Sequence, residues 1–151
     1  MKFYLAGPVG YGKYGTKWKD GIKELLRNKG YEVYDPIEND EKYTNVSKMN
    51  EMKKYPKKHH KAIKRIMQEI FIDDCKFITD CDYIICYFSG RALGTASEQG
   101  IAYYLNLFLG KKVRTISIFE DHFSPDEWTI CCSHHIFLSL NECIDFLRSL
   151  K

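Results

Sequence analysis

Two carboxylates stand out for where they fall in the chain. Glu98 lies in Ser89-Gly-Arg-Ala-Leu-Gly-Thr-Ala-Ser-Glu98-Gln-Gly100-Ile-Ala102, which leads from an apolar run into a helical pattern. Near the first helical turn, free N–H groups and the macrodipole favour the charged form of a carboxyl group. A carboxylate held at the mouth of a crevice is a candidate nucleophile. The spacing Thr95-x-x-Glu98 fits a helix-capping box equally well. Asp74 comes from the stretch Asp73-Asp74-Cys-Lys-Phe-Ile-Thr-Asp-Cys-Asp82. At helical spacing Ile70, Asp74 and Ile78 share one side, so Asp74 is aimed at the core, where a carboxylate needs a partner or a role. Asp82 directly precedes an apolar run and reads as a turn or cap.

These residues need a frame. Phe3 to Ala6 reads as a buried strand stopped by Gly7-Pro8, and the loop Gly7–Gly15 carries Gly7, Gly10, Gly12 and Gly15. A helix follows from about Thr16 to Lys29, with Trp18, Ile22, Leu25 and Leu26 on one face and Gly30 as its stop. Tyr31–Tyr34 reads as a second strand, closed by Asp35-Pro36. Residues 37–56 are polar and aperiodic and read as a loop or lid. The stripe Ala62, Ile63, Ile66, Met67, Ile70, Phe71, Phe77, Ile78 predicts a helix over about 57–79. Tyr83–Phe88 is nearly all apolar, as a strand covered on both faces should be. A helix to about Leu109, a strand at Val113–Phe119, a short strand at Ile136–Leu138 and a terminal helix at Leu140–Leu150 complete the pattern.

Strand and helix alternate throughout. That argues a doubly wound α/β fold, flavodoxin- or Rossmann-like, with a five-stranded parallel sheet covered by helices on both faces. With strand order 2-1-3-4-5, the ligand crevice lies between the loops after the first and third strands. Those loops are Gly7–Gly15 and Ser89–Gly94, the most glycine-punctuated stretches of the chain. The 151 residues are expected to form one domain.

Composition narrows the partners. Hydrophobic residues are 44% and charged residues 28%, which excludes a disordered or collagen-like chain. The formal charge of +3 is too mild to demand nucleic acid. No stretch approaches the apolar length of a membrane span, and the opening apolar run is too short for a signal peptide, so a cytoplasmic protein is expected. The six cysteines, at 75, 81, 86, 131, 132 and 143, form no C-x-x-C pair and read as reduced, mostly buried thiols. A zinc site from Cys131, Cys132, His134 and His135 would lack a recognised spacing. The basic run Lys53, Lys54, Lys57, Lys58, His59, His60, Lys61, Lys64, Arg65 reads as a solvated helix face, or as a lid that screens an anion. Tyr11, Tyr14 and Trp18 could stack on a planar ligand.

Taken together, the motifs resemble the nucleoside 2-deoxyribosyltransferase family. The resemblance rests on Tyr4-Leu-Ala-Gly-Pro8, on Asp74 followed by Asp82 and a β run, and on Gly94-Thr95-x-x-Glu98-x-Gly100-x-Ala102, in order over most of the chain. It implies an α/β enzyme that cleaves the N-glycosidic bond of 2′-deoxynucleosides through a covalent deoxyribosyl-enzyme. It places the nucleophile on Glu98, the hydroxyl that orients it on Tyr4, and the contact to the departing base on Asp74. No metal or organic cofactor is expected, since a carboxylate suffices. A homo-oligomer is implied, and the segment 120–135 with Trp128 is the expected interface.

One position departs from the pattern. Six residues before the nucleophile the family carries an Asp for the sugar 5′-hydroxyl, and here Ala92 stands there. Ser89, Arg91, Gly94 and Ser97 lie beside it, with Gly7, Gly10, Gly12 and Lys13 across the crevice. Losing an anion while a cation, hydroxyls and N–H donors stay suits a phosphate. The 5′-monophosphate N-glycosidases related to this family lack the same Asp and pass the sugar to water. A non-catalytic nucleotide-sensing module on the same fold is the rival from another class.

Overall fold

The computed structural model describes residues 1–8, 17–38, 48, 50–52, 54–56, 59–89, 92–120 and 126–150. Its centre is a parallel sheet of five strands: β1 (Lys2–Ala6), β2 (Glu32–Tyr34), β3 (Tyr83–Phe88), β4 (Arg114–Phe119) and β5 (His135–Phe137). The order is β2-β1-β3-β4-β5, as the alternation implied. Every neighbouring pair is parallel, and Tyr4 stands between Tyr34 of β2 and Ile84 of β3.

Helices cover both faces: α1 (Lys17–Asn28), α2 (His60–Asp80), α3 (Leu93–Leu109), the short α4 (Glu127–Cys131) and α5 (Leu140–Ser149). Side chains alternate along a strand, so β1 feeds both cores. Phe3 and Leu5 pack with Trp18, Ile22, Leu26 and Leu147 under α1 and α5. Tyr4 and Ala6 pack with Ile78, Ile84, Cys86 and Ala102 under α2 and α3. All six residues of β3 are buried, which explains its unbroken apolar sequence. Gly30 and Gly110 stop α1 and α3 at φ of 77° and 63°, left-handed backbone where glycine carries no Cβ penalty.

Three expectations change. Trp18 is 2% exposed and stacks on Tyr87 at 4.8 Å, so it fills the core and offers no ring to a ligand. Within the segment read as a loop, Lys48 and residues 50–52 are helical, and Lys48 pairs with Asp73 at 2.6 Å, tying this stretch to α2. α3 begins at Leu93 with Ala92 as its N-cap and no side-chain cap, so the Thr95–Glu98 capping box does not form. Among the described residues no helix is long and apolar enough to cross a membrane. All six cysteines are free thiols. Asp82 accepts the Lys2 backbone N–H at 2.7 Å, the turn role expected of it.

Candidate active site

The start of α3 decides where Glu98 points. Thr95, Glu98, Ala102 and Leu105 fall at helical spacing, and Thr95, Ala102 and Leu105 are buried against the sheet. Glu98 therefore faces the sheet one turn inside the helix rather than capping its end. Tyr4, on the β1 face under α2 and α3, donates its hydroxyl to Glu98 Oε1 at 2.6 Å. Asp74 arrives from α2 on the stripe Ile66, Ile70, Ile78, where every other member is a buried isoleucine. It too lies in hydrogen-bonding reach of the Tyr4 hydroxyl. Residues 4, 74 and 98 are thus gathered on one phenol, as the resemblance implied.

Their surroundings set their charge. Burial, opposed by the Tyr4 bond and reinforced by Asp74, pushes the Glu98 carboxyl up to about 7. Burial likewise pushes Asp74 up to about 6, against the Tyr4 bond and with the neighbouring Asp73 raising it further. Tyr4 is pushed well above its ordinary range by burial and by both carboxylates, so it stays a donor. Two close carboxyl groups that raise each other titrate as a pair, with one proton shared near neutrality. The short Tyr4 bond favours charge on Glu98 and leaves that proton to Asp74.

The pair opens on a cavity of about 430 Å³ at the carboxyl ends of β1 and β3. Its polar walls are Asp74, Thr95, Ser97 and Glu98, and its apolar walls include Ile37, Met67, Ile70, Phe71 and Leu93. Two carboxylates beside an apolar slot of this size suit a planar, uncharged ring joined to a polar group. Gly7, Ala92 and Gly94 also line it. A Cβ on Gly7 would come within 2.4 Å of the Trp18 ring, so only glycine lets the chain turn over Trp18 here. Gly94 has open space around it. The Ser97 hydroxyl donates to the Leu93 carbonyl at 2.9 Å, and Ser89 is half-buried at the end of β3, outside the lining. Gly10, Gly12, Lys13, Arg91, Tyr11 and Tyr14 lie outside the described residues.

Sequence reasoning missed Lys19 and Asp35. Lys19 is fully buried, 2.7 Å from Asp35 Oδ1 and 3.3 Å from the Leu5 carbonyl. Asp35 is 1% exposed and also binds Lys23 at 3.1 Å and the Ile37 N–H at 3.2 Å. The signal was present: Lys19, Ile22 and Leu26 follow i, i+3, i+7, so the lysine interrupts an apolar stripe. Another unread residue is Gln99, next to Glu98. Its buried side-chain amide donates to Ser117 Oγ at 2.9 Å and the Thr129 carbonyl at 3.1 Å, anchoring this turn of α3 to β4 and α4.

Comparison with known proteins meets this geometry. No curated protein sequence matches the chain. The fold is shared with the 2-deoxyribosyltransferase of the psychrotolerant bacterium Bacillus psychrosaccharolyticus, at a TM-score of 0.64 and 20% identity over 100% of this chain and 93% of that one. It is shared more distantly with the CMP N-glycosidase BcmB of Clostridium botulinum, at a TM-score of 0.51 and 18% identity over 97% and 98% of the two chains. The sequence profile described as nucleoside 2-deoxyribosyltransferase matches residues 3–116, a span that holds Tyr4, Asp74 and Glu98. The chain therefore belongs to the nucleoside 2-deoxyribosyltransferase family.

Proposed function

We propose that this protein breaks the N-glycosidic bond of a 2′-deoxynucleoside or its 5′-monophosphate, with Glu98 as nucleophile, Asp74 as acid and Tyr4 as the residue that orients Glu98. The observation that carries the reading is the 2.6 Å bond from Tyr4 to Glu98 at the mouth of the cavity, with Asp74 on the same hydroxyl.

A Glu98 carboxylate oxygen bonds to C1′ as the C1′–N bond breaks, and the bonding pair leaves with the base. Positive charge develops at C1′ on the way, and the anion beside it stabilises that charge. Asp74 delivers its proton to a ring atom of the departing base. The ester is then opened at C1′ by water or by a nitrogen of a second base. Asp74, now a carboxylate, accepts the proton that the incoming group loses. Tyr4 keeps its own proton throughout and holds the Glu98 oxygen in line.

The test is incubation with each deoxynucleoside and each deoxynucleoside 5′-monophosphate, following free base by chromatography. Glu98→Ala should abolish release by several orders of magnitude, and a trapped Glu98 ester in slow-substrate mass spectra would confirm the intermediate. Activity of Glu98→Ala within tenfold of wild type would remove Glu98 from its role.

The 5′-monophosphate hydrolase reading is favoured by Ala92. This residue lines the cavity, and Asp74 and Glu98 are the two carboxylates among the described lining residues. A phosphate would meet no repelling anion on the Ala92 wall. Arg91, Gly10, Gly12 and Lys13 are the candidates to bind it. Self-association belongs to the same reading: Leu93 on the cavity wall is 80% exposed, and Met67 and Phe71 beside it are also exposed. A second copy covering these side chains would close the slot, and sedimentation velocity distinguishes monomer from oligomer.

A further inference from the structure

We propose that Lys19 is a positioning residue whose buried ammonium, anchored by Asp35, holds Glu98 in the carboxylate form that attack on C1′ requires. The inference rests on the assignment of Glu98 as nucleophile.

A lysine with no exposed surface is costly unless its charge is used or paired. Lys19 is paired, but its partner is shared. Asp35 takes Lys19 on one oxygen at 2.7 Å and Lys23 on the other at 3.1 Å. Two ammonium groups on one carboxylate leave a surplus positive charge at the foot of the site. The Leu5 carbonyl, beside Tyr4 on β1, fixes Lys19 from a second direction. Its field reaches both Glu98 and Asp74 and opposes the burial that drives each toward the neutral acid.

Every charged or titratable group that faces Glu98 among the described residues is accounted for. β1 contributes Tyr4, which donates, and α2 contributes Asp74, which repels. Cys75 of α2 and Cys86 of β3 stay protonated thiols, pushed up by burial. α1 contributes Lys19, the one cation acting on Glu98. Lys19 itself is lowered by burial and held charged by Asp35 and Glu98, with Lys23 opposing. Without Lys19, Tyr4 alone would oppose the proton that burial and Asp74 favour on Glu98.

The test separates charge from architecture. Lys19→Met removes the cation but leaves Asp35 buried beside Lys23. Lys19→Met/Asp35→Asn removes both charges, a replacement of a buried pair that proteins often tolerate well. Lys19→Arg keeps the charge. Two readouts are taken: the acid limb of kcat/KM against pH, and the titration of the Glu98 side-chain carboxyl by NMR of protein with 13C-labelled glutamate, assigned against Glu98→Gln. Lys19→Met and the double variant should both raise the limb and the Glu98 titration by about one pH unit, a roughly tenfold loss of kcat/KM on the acid side. Lys19→Arg should leave both in place. The double variant should melt closer to wild type than Lys19→Met while keeping the raised limb. If the double variant instead titrates Glu98 at the wild-type position, the proposal is wrong and Lys19 only fills space. If Glu98→Gln keeps its activity, the nucleophile assignment fails, yet the NMR titration still reports whether Lys19 sets the charge of Glu98.

Discussion

Removing the charge of Glu98 should make the protein more stable, and only above the pH at which that charge forms. The folded Glu98 carboxyl binds its proton at about 7, against an ordinary 4.5, because the site encloses it and Asp74 repels it. A folded value above the unfolded one means that the folded state holds the extra proton between those values. Stability therefore falls as pH rises through the window, and the full cost is present above about pH 7. At about 1.36 kcal/mol per unit the ceiling is about 3 kcal/mol. Partial exposure of Glu98 trims this to about 1–3 kcal/mol. Glu98→Gln keeps an acceptor for Tyr4 and carries no charge. For a chain of this size it should raise the melting temperature by about 3–10 °C at pH 8, and by about a quarter of that at pH 5. Thermal denaturation followed by circular dichroism at the two pH values measures it. A melting temperature at pH 8 equal to or below wild type, or a gain independent of pH, would refute the argument. Asp74→Asn should act in the same direction. The double variant should gain less than the sum, because removing either carboxylate already relieves the other.

Asp74→Asn cannot deliver a proton and should slow base release by roughly 10²–10⁴-fold, with smaller losses for bases that leave easily; equal losses across a leaving-group series would assign Asp74 to positioning instead. Gly7→Ala places a methyl group 2.4 Å from the Trp18 ring and should cost about 1–3 kcal/mol in denaturant unfolding, whereas Gly94→Ala, in open space, should not. If a 5′-phosphate is the handle, the monophosphate should show the higher kcat/KM, and Ala92→Asp should shift preference toward the free nucleoside. Arg91→Ala should then lose roughly 10- to 150-fold on the monophosphate and little on the nucleoside, measured as paired kcat/KM values.

The sheet was legible because its strands obey one simple rule. Residues 83–88 are apolar at every position, and a strand buried on both faces needs that. The order β2-β1-β3-β4-β5 followed from the alternation of elements and the handedness of parallel crossovers. What failed was reading residues from their neighbours in sequence. Trp18 looked available because it follows the glycine-rich loop, yet it belongs to the stripe of Ile22 and Leu26 and lies under the sheet. The capping box at Thr95 looked sound by spacing, but the helix starts at Leu93 and carries Glu98 past the point where it could cap. The 94-residue separation of Tyr4 from Glu98 put their contact beyond any local pattern; there the family resemblance supplied what spacing could not.

The site does share one sequence trait. Asp74 interrupts Ile66, Ile70 and Ile78; Lys19 interrupts the stripe of Ile22 and Leu26; Glu98 sits in line with Thr95, Ala102 and Leu105. Each is a single charge on the sheet-facing side of a helix, where burial alone would select an apolar residue. One such charge can be a local accident satisfied by a local partner. Three, on three helices, act on one another across the carboxyl end of β1, and their signs are complementary: two acids and one base, with Asp35 and Lys23 fixing the base from behind. A sequence specifies its fold through agreement between local pattern and burial, so helices that break the pattern at converging positions mark where stability has yielded to chemistry. That is also why Glu98→Gln should stabilise the protein in the same experiment in which it silences it.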